Sequence, residues 1–110
     1  MKKEQLVRHE FEPVYDKNSE ILILGSFPSV KSREQGFYYG HPQNRFWKVL
    51  AAIVQEKIPD SIEEKKEMLL RNHIAVYDVI WQCKITGSSD SSIKDVVPAD
   101  ITTIVELSKI

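Results

Sequence analysis

Glu20-Ile21-Leu22-Ile23-Leu24-Gly25 is a short aliphatic run closed by a glycine. An apolar run of this length suits a strand buried on both faces, as in a parallel sheet. Ile74-Ala75-Val76-Tyr77-Asp78-Val79-Ile80 reads the same way, as a second buried strand. Between the two the period changes. Phe46, Val49, Leu50, Ile53 and Val54 recur at helical spacing, with Trp47 beside them. Asn44 stands where an N-cap belongs, and Pro59 is expected to end that helix. Ser61-x-x-Glu64 forms a capping box ahead of Ile62, Met68 and Leu69, which predicts a second, more solvated helix. Beyond the second strand lies the polar run Gly87-Ser88-Ser89-Asp90-Ser91-Ser92, and Asp100 then caps Ile101, Ile104, Val105 and Ser108. Strand, loop, helix, helix, strand, loop, helix is the order of an α/β fold with parallel strands.

The chain as a whole sets wider bounds. It has 110 residues, which is enough for one small domain and too little for two. Apolar residues make up 42% and charged residues 28%, a globular rather than a disordered balance. No apolar run approaches the roughly 20 residues of a membrane helix. The opening MKKEQLVRHEFEPVYDKNSE is charged throughout and lacks the apolar centre of a signal peptide. The single cysteine, Cys83, excludes an internal disulfide and any four-thiolate metal site. These features point to the cytoplasm. A net charge of −1 neither suggests nor excludes nucleic acid.

Both long loops leave from strand ends, after Leu24 and after Ile80. Ligands of α/β sheets bind outside the carboxyl ends of the strands, so the chemistry is expected there. Gly25-Ser26-Phe27-Pro28-Ser29 could offer backbone N–H groups to a phosphate or a base edge, or could be a plain turn off the strand. It is not a Walker loop, because no Gly-Lys-Ser/Thr follows. Phe37-Tyr38-Tyr39-Gly40-His41-Pro42-Gln43-Asn44-Arg45-Phe46-Trp47 gathers aromatic rings, a histidine, an asparagine and an arginine. Such rings stack on bases, and arginine meets phosphate. Read singly, Phe46 and Trp47 suit the helix core, Asn44 a helix cap, and His41 a structural hydrogen bond. Tyr38 and Tyr39 are harder to place in a core, since aromatics in loops tend to be at the surface for a reason. Asp78, near a buried strand end, needs a partner; it accepts backbone N–H groups from a neighbouring loop or serves a site. Cys83 reads as a small buried residue. Ser88 to Ser92 is either a phosphate contact or a solvated turn.

Taken together, Ile23-Leu24-Gly25-Ser26-Phe27-Pro28-Ser29 with Tyr39-Gly40-His41-Pro42-Gln43-Asn44-Arg45-Phe46-Trp47 resembles the uracil-DNA glycosylase superfamily. The likeness is greatest to its hypoxanthine (deoxyinosine) branch, which Tyr77-Asp78-Val79-Ile80, Cys83 and Gly87 to Ile93 also resemble. The resemblance implies a three-layer α/β/α fold with a parallel sheet, formed by residues 1–110 as one incomplete domain. It implies an enzyme that binds double- or single-stranded DNA containing a deaminated base, flips that base out and hydrolyses its N-glycosidic bond. No metal, cofactor or membrane is implied. Asn44 maps to the asparagine taken as essential in the hypoxanthine branch, and Asp78 is a second catalytic candidate that would support a cationic sugar. Gly25, Ser26, Phe27, Tyr39 and His41 map to the base pocket. Pro28, Ser29, Lys31 and Arg33 map to the DNA backbone, and so do Arg45, Ser88 and Ser91.

Two departures accompany the likeness. The mismatch-specific relatives carry a water-positioning asparagine where this chain has Phe27, which cannot do that work. Full members of the superfamily also continue into two more parallel strands and a serine- and proline-rich loop that inserts into DNA, whereas this chain stops at Lys109-Ile110. The 110 residues alone are therefore expected to excise little or nothing. A non-catalytic nucleic-acid or nucleotide-binding module on the same fold is the alternative reading. A small-molecule α/β enzyme with an unrelated pocket is a third.

Overall fold

A computed structural model of the chain describes residues 4–9, 11–25, 36–40, 44–86 and 93–110. Two sheets organise them. Strand β2 (Ile21–Gly25) runs parallel to β3 (Ile74–Asp78), with Ile21 opposite Ile74 and Gly25 opposite Asp78. The connection between them carries helices α1 (Phe46–Ile53) and α2 (Ile62–Arg71), the expected crossover of a parallel pair. The second sheet is antiparallel, in the order β1 (Glu4–Arg8), β4 (Ile80–Thr86), β5 (Lys94–Pro98). Helix α3 (Ile101–Glu106) follows.

The α/β class and the parallel pair agree with the sequence reading, and the antiparallel sheet is an addition to it. The run from Ile74 to Ile80 is not one strand. It breaks at Val79, and the chain passes directly from one sheet into the other. Val79 ties the two together: its N–H donates to Gly25 O at 2.9 Å, and its own carbonyl accepts from Ala99 N–H at 2.8 Å. Beyond it β4 continues to Thr86, where the sequence suggested only a loop.

The two parallel strands differ in burial. Every residue of β3 is buried, because Val14 bridges to Val76 on the edge away from β2 with bonds of 2.9 and 3.0 Å. β2 is not buried on both faces as expected: Ile21 and Leu24 are 58% and 44% exposed. Among the described residues it has one strand neighbour. The main core lies against β3 and gathers Phe37, Tyr38 and Trp47 with Met68, Leu69 and Ile104. A small second core, Ile80, Cys83 and Ile85, lies against the antiparallel sheet and includes the cysteine where a buried residue was expected.

The helices follow their signals with local corrections. α1 turns Trp47, Leu50 and Ala51 inward, whereas Val49 and Ile53 point out. It stops at Ile53, well before Pro59, because Gln55 turns the chain with a positive φ of 58°. The capping box of α2 forms: Ser61 Oγ accepts from Glu64 N–H at 3.0 Å, and Glu64 reaches back to Asp60 N–H at 2.8 Å. Asp100 caps α3 by accepting from Thr103 N–H at 3.1 Å. Ile104 is buried there, but Val105 is exposed.

Candidate active site

The carboxyl ends of β2 and β3 place Gly25 beside Asp78. The Asp78 side chain is only 6% exposed. Among the described residues its partner is a side chain: Oδ2 lies 2.7 Å from His9 Nε2. The antiparallel sheet delivers that histidine. β1 ends at Arg8, and His9 N–H continues its ladder by donating to Trp81 O at 2.7 Å, which sets the ring over the sheet junction. The other carboxylate oxygen, Oδ1, faces the α-carbon of Gly25. A β-carbon built there would collide with Oδ1 and lie 3.2 Å from the Tyr39 hydroxyl. Glycine is needed at position 25 because two oxygens converge on it.

Two adjacent tyrosines take different parts. Tyr38 belongs to the core, contrary to the expectation from its loop setting. Its hydroxyl donates to Glu12 O at 2.9 Å, and Trp47 Nε1–H donates to its carbonyl at 3.1 Å, so its polar atoms are satisfied inside. Tyr39 is half-buried and holds a left-handed backbone, φ 53°, which is strained for a non-glycine residue. Its ring stacks on Phe46 at 4.0 Å and 22°. Burial, and then the Asp78 charge, push the Tyr38 and Tyr39 phenols above their ordinary range; the same causes, with Asp100 added, push up Tyr77. All three phenols therefore stay protonated at neutral pH.

The Tyr39–Phe46 stack also brings the start of α1 to this crevice. Asn44 precedes it, exposed, with Oδ1 accepting from Phe46 N–H at 2.8 Å. The N-cap itself is Arg45, one residue later than expected, and its side chain makes no cap bond. Arg45 is exposed at the rim. Gly25, Asp78, Tyr39 and Asn44 are thus gathered at one end of the parallel pair. Ser26, Phe27, Pro28, Ser29, Lys31, Arg33, His41, Ser88 and Ser91 lie outside the described residues. His9 escaped the sequence reading, although a signal existed: a buried aspartate requires a cationic or donor partner, and the chain has only three histidines.

Residues 12–100 match the family model described as the uracil DNA glycosylase superfamily. The chain belongs to that superfamily. A protein of Methanosarcina barkeri named hypoxanthine DNA glycosylase is 44% identical over 86 residues, covering 77% of this chain and 54% of that protein. One of the same name from Methanosarcina acetivorans is 41% identical over 91 residues, covering 82% and 58%. The solution NMR structure of a candidate uracil DNA glycosylase from Methanosarcina acetivorans superposes with a TM-score of 0.80 at 35% identity. It covers 94% of this chain and 65% of that one. The chain thus has the α/β fold of the glycosylase superfamily and spans just over half the length of the two named relatives. The matched span holds Gly25, Tyr39, Asn44 and Asp78, and it begins after His9.

Proposed function

We propose that this chain is the incomplete single domain of a DNA N-glycosylase that removes a deaminated base, with hypoxanthine preferred over uracil and xanthine. The observation that carries the reading is the convergence of Asp78, Gly25, Tyr39 and the Asn44 end of α1 at the carboxyl ends of two parallel strands. Two relatives that share this segment bear the name hypoxanthine DNA glycosylase, which favours that base.

The chemistry follows from the residues. A base inside the duplex must leave the stack before its glycosidic bond is reachable. Tyr39, with one face held by Phe46, is set to stack on the extruded base. As the C1′–N bond breaks, its electron pair goes to the base and positive charge spreads over the sugar ring. The Asp78 carboxylate then stabilises that charge. Water adds its oxygen to C1′ and gives up a proton, and the departing base takes one up. Asn44 carries a donor and an acceptor in one amide, which orients the water or holds the base edge. Gly25, Ser26, Phe27 and His41 complete the base pocket in this reading. Pro28, Ser29, Lys31, Arg33, Arg45, Ser88 and Ser91 meet the DNA backbone of a duplex or single strand. Among the described residues no helix is long and apolar enough to cross a membrane. The lone cysteine favours the cytoplasm as the compartment.

An excision panel tests the reading. Labelled duplexes with one hypoxanthine, uracil or xanthine are incubated with the chain, alone and fused to the unmatched part of the Methanosarcina barkeri relative. The fusion should release hypoxanthine fastest. Asn44→Ala should abolish release, at least about 100-fold, while duplex binding stays within about threefold. Release of none of the three bases by either protein would overturn the proposal.

A further inference from the structure

The His9–Asp78 pair is enclosed: the two side chains are 1% and 6% exposed. Both ring nitrogens of His9 face oxygen atoms, Nδ1 facing Phe11 O at 2.7 Å and Nε2 facing Asp78 Oδ2 at 2.7 Å. A carbonyl can only accept, so the Nδ1 proton is fixed and donates to Phe11 O. A proton between Nε2 and Oδ2 closes the second bond of the ring. When that proton is on Nε2, the carboxylate is negative and held by a charge-assisted bond.

The ring is also clamped sterically. Phe11 meets it edge-on at 4.7 Å, Tyr77 edge-on at 5.1 Å, and Tyr38 lies tilted at 5.5 Å. A ring tethered at both nitrogens and wedged by three aromatics cannot turn, and neither can the carboxylate bonded to it. The consequence is the heading of Asp78 Oδ1 toward Gly25 and the Tyr39 hydroxyl. His9 itself is too deep to touch DNA. Buried ion pairs are weak stabilisers in general, so stability alone is a poor reason for this one. Its place at the crevice of a parallel pair, with a glycine kept opposite, supplies a better one.

We infer that His9 is a positioning residue that fixes the Asp78 carboxylate at the crevice, so that its charge meets the positive charge developing on the substrate sugar. This rests on the glycosylase reading. The antiparallel sheet then has a definite role, since it carries the residue that aims the carboxylate.

Binding to charge-matched abasic analogues tests this without requiring turnover. The 110-residue chain is titrated with two duplexes, one holding a cationic pyrrolidine in place of a nucleoside and one its neutral tetrahydrofuran counterpart. The wild-type chain should prefer the cationic duplex by about tenfold or more, as a mimic of the cationic transition state. Asp78→Asn and His9→Phe should both lose the preference while holding the neutral duplex within about threefold. His9→Gln, whose amide donates toward Oδ2, should recover part of it. On the wild-type chain, which avoids any question of variant folding, the nitrogen-15 spectrum of the ring should show a proton on Nδ1. A bare Nδ1, or a His9→Phe variant that folds and keeps the full preference, would overturn the inference alone. A wild-type chain that binds neither duplex, both alone and fused to the unmatched part of the Methanosarcina barkeri relative, would overturn the glycosylase reading and this inference with it.

Discussion

The parallel pair and the antiparallel sheet are built from different residues and do different work. β3 is buried end to end, with β2 on one edge and Val14 on the other. β5 has no buried residue at all, and Val96 and Val97 stand in solvent. The parallel pair carries a core of aromatics and long aliphatics, whereas the antiparallel sheet rests on Ile80, Cys83 and Ile85. Ion pairs on its surface, Lys94 with Glu4 and Lys84 with Asp95, are exposed and contribute little. The stability of the fold and the placement of the site therefore belong mainly to one region. Among the described residues, the other region reaches the site through the His9 side chain.

The largest effect is expected from a cut into the main core. Leu69 is fully buried on α2, which packs against β3. Leu69→Ala should lower unfolding free energy by about 2–5 kcal/mol, the transfer of the lost methyl groups plus the cavity left behind. Urea denaturation followed by circular dichroism gives the value. A loss below about 1 kcal/mol would mean that the region collapses around the gap and is not the rigid part of the molecule.

Gly25→Ala asks less of the core and more of the site. The new methyl group would meet Asp78 Oδ1 and approach the Tyr39 hydroxyl, so one of the oxygens must move. Overpacking of this kind costs about 1–3 kcal/mol. The preference for the cationic abasic duplex should fall with it, because the carboxylate loses its heading. Full stability together with full preference would show that the junction is looser than the contacts around Gly25 imply.

What could be read in advance divides along the same line. The parallel strands announced themselves because Ile21–Leu24 and Ile74–Val76 are uninterrupted apolar runs. Ser61 and Asp100 announced their helices through side chains that favour the cap position. Asp78 was legible as a buried charge in need of a partner, and Asn44 and Tyr39 through their motif. β1 was not legible, since Glu4-Gln5-Leu6-Val7-Arg8 holds two apolar residues among polar and charged ones and pairs only by long-range contact. β5 was equally silent, and the break at Val79 lies inside what reads as one apolar run. His9 was hidden for the same reason as its strand: its partner is 69 residues away. Tyr38 misled because loop sequence says nothing about whether the core reaches over it.

The smallest expected effect is the control for the whole comparison. Val97 lies on β5, opposite Gln82 of β4, and is 39% exposed. Val97→Ala removes two methyl groups, a deletion of side-chain bulk milder than Leu69→Ala in a strand that buries nothing. With the side chain partly in water and no enclosed cavity to leave, the loss should stay within about 0.5 kcal/mol in the same urea assay. β-propensity pulls in the same direction and adds a few tenths, because alanine suits a pleated surface less well than valine. A loss of about 2 kcal/mol would mean that β5 is covered in solution, by another copy or by a partner, and has a core of its own. Sedimentation of the wild-type chain over a concentration series then separates self-association from a change within the monomer. The antiparallel sheet would in that case be an interface as well as the carrier of His9.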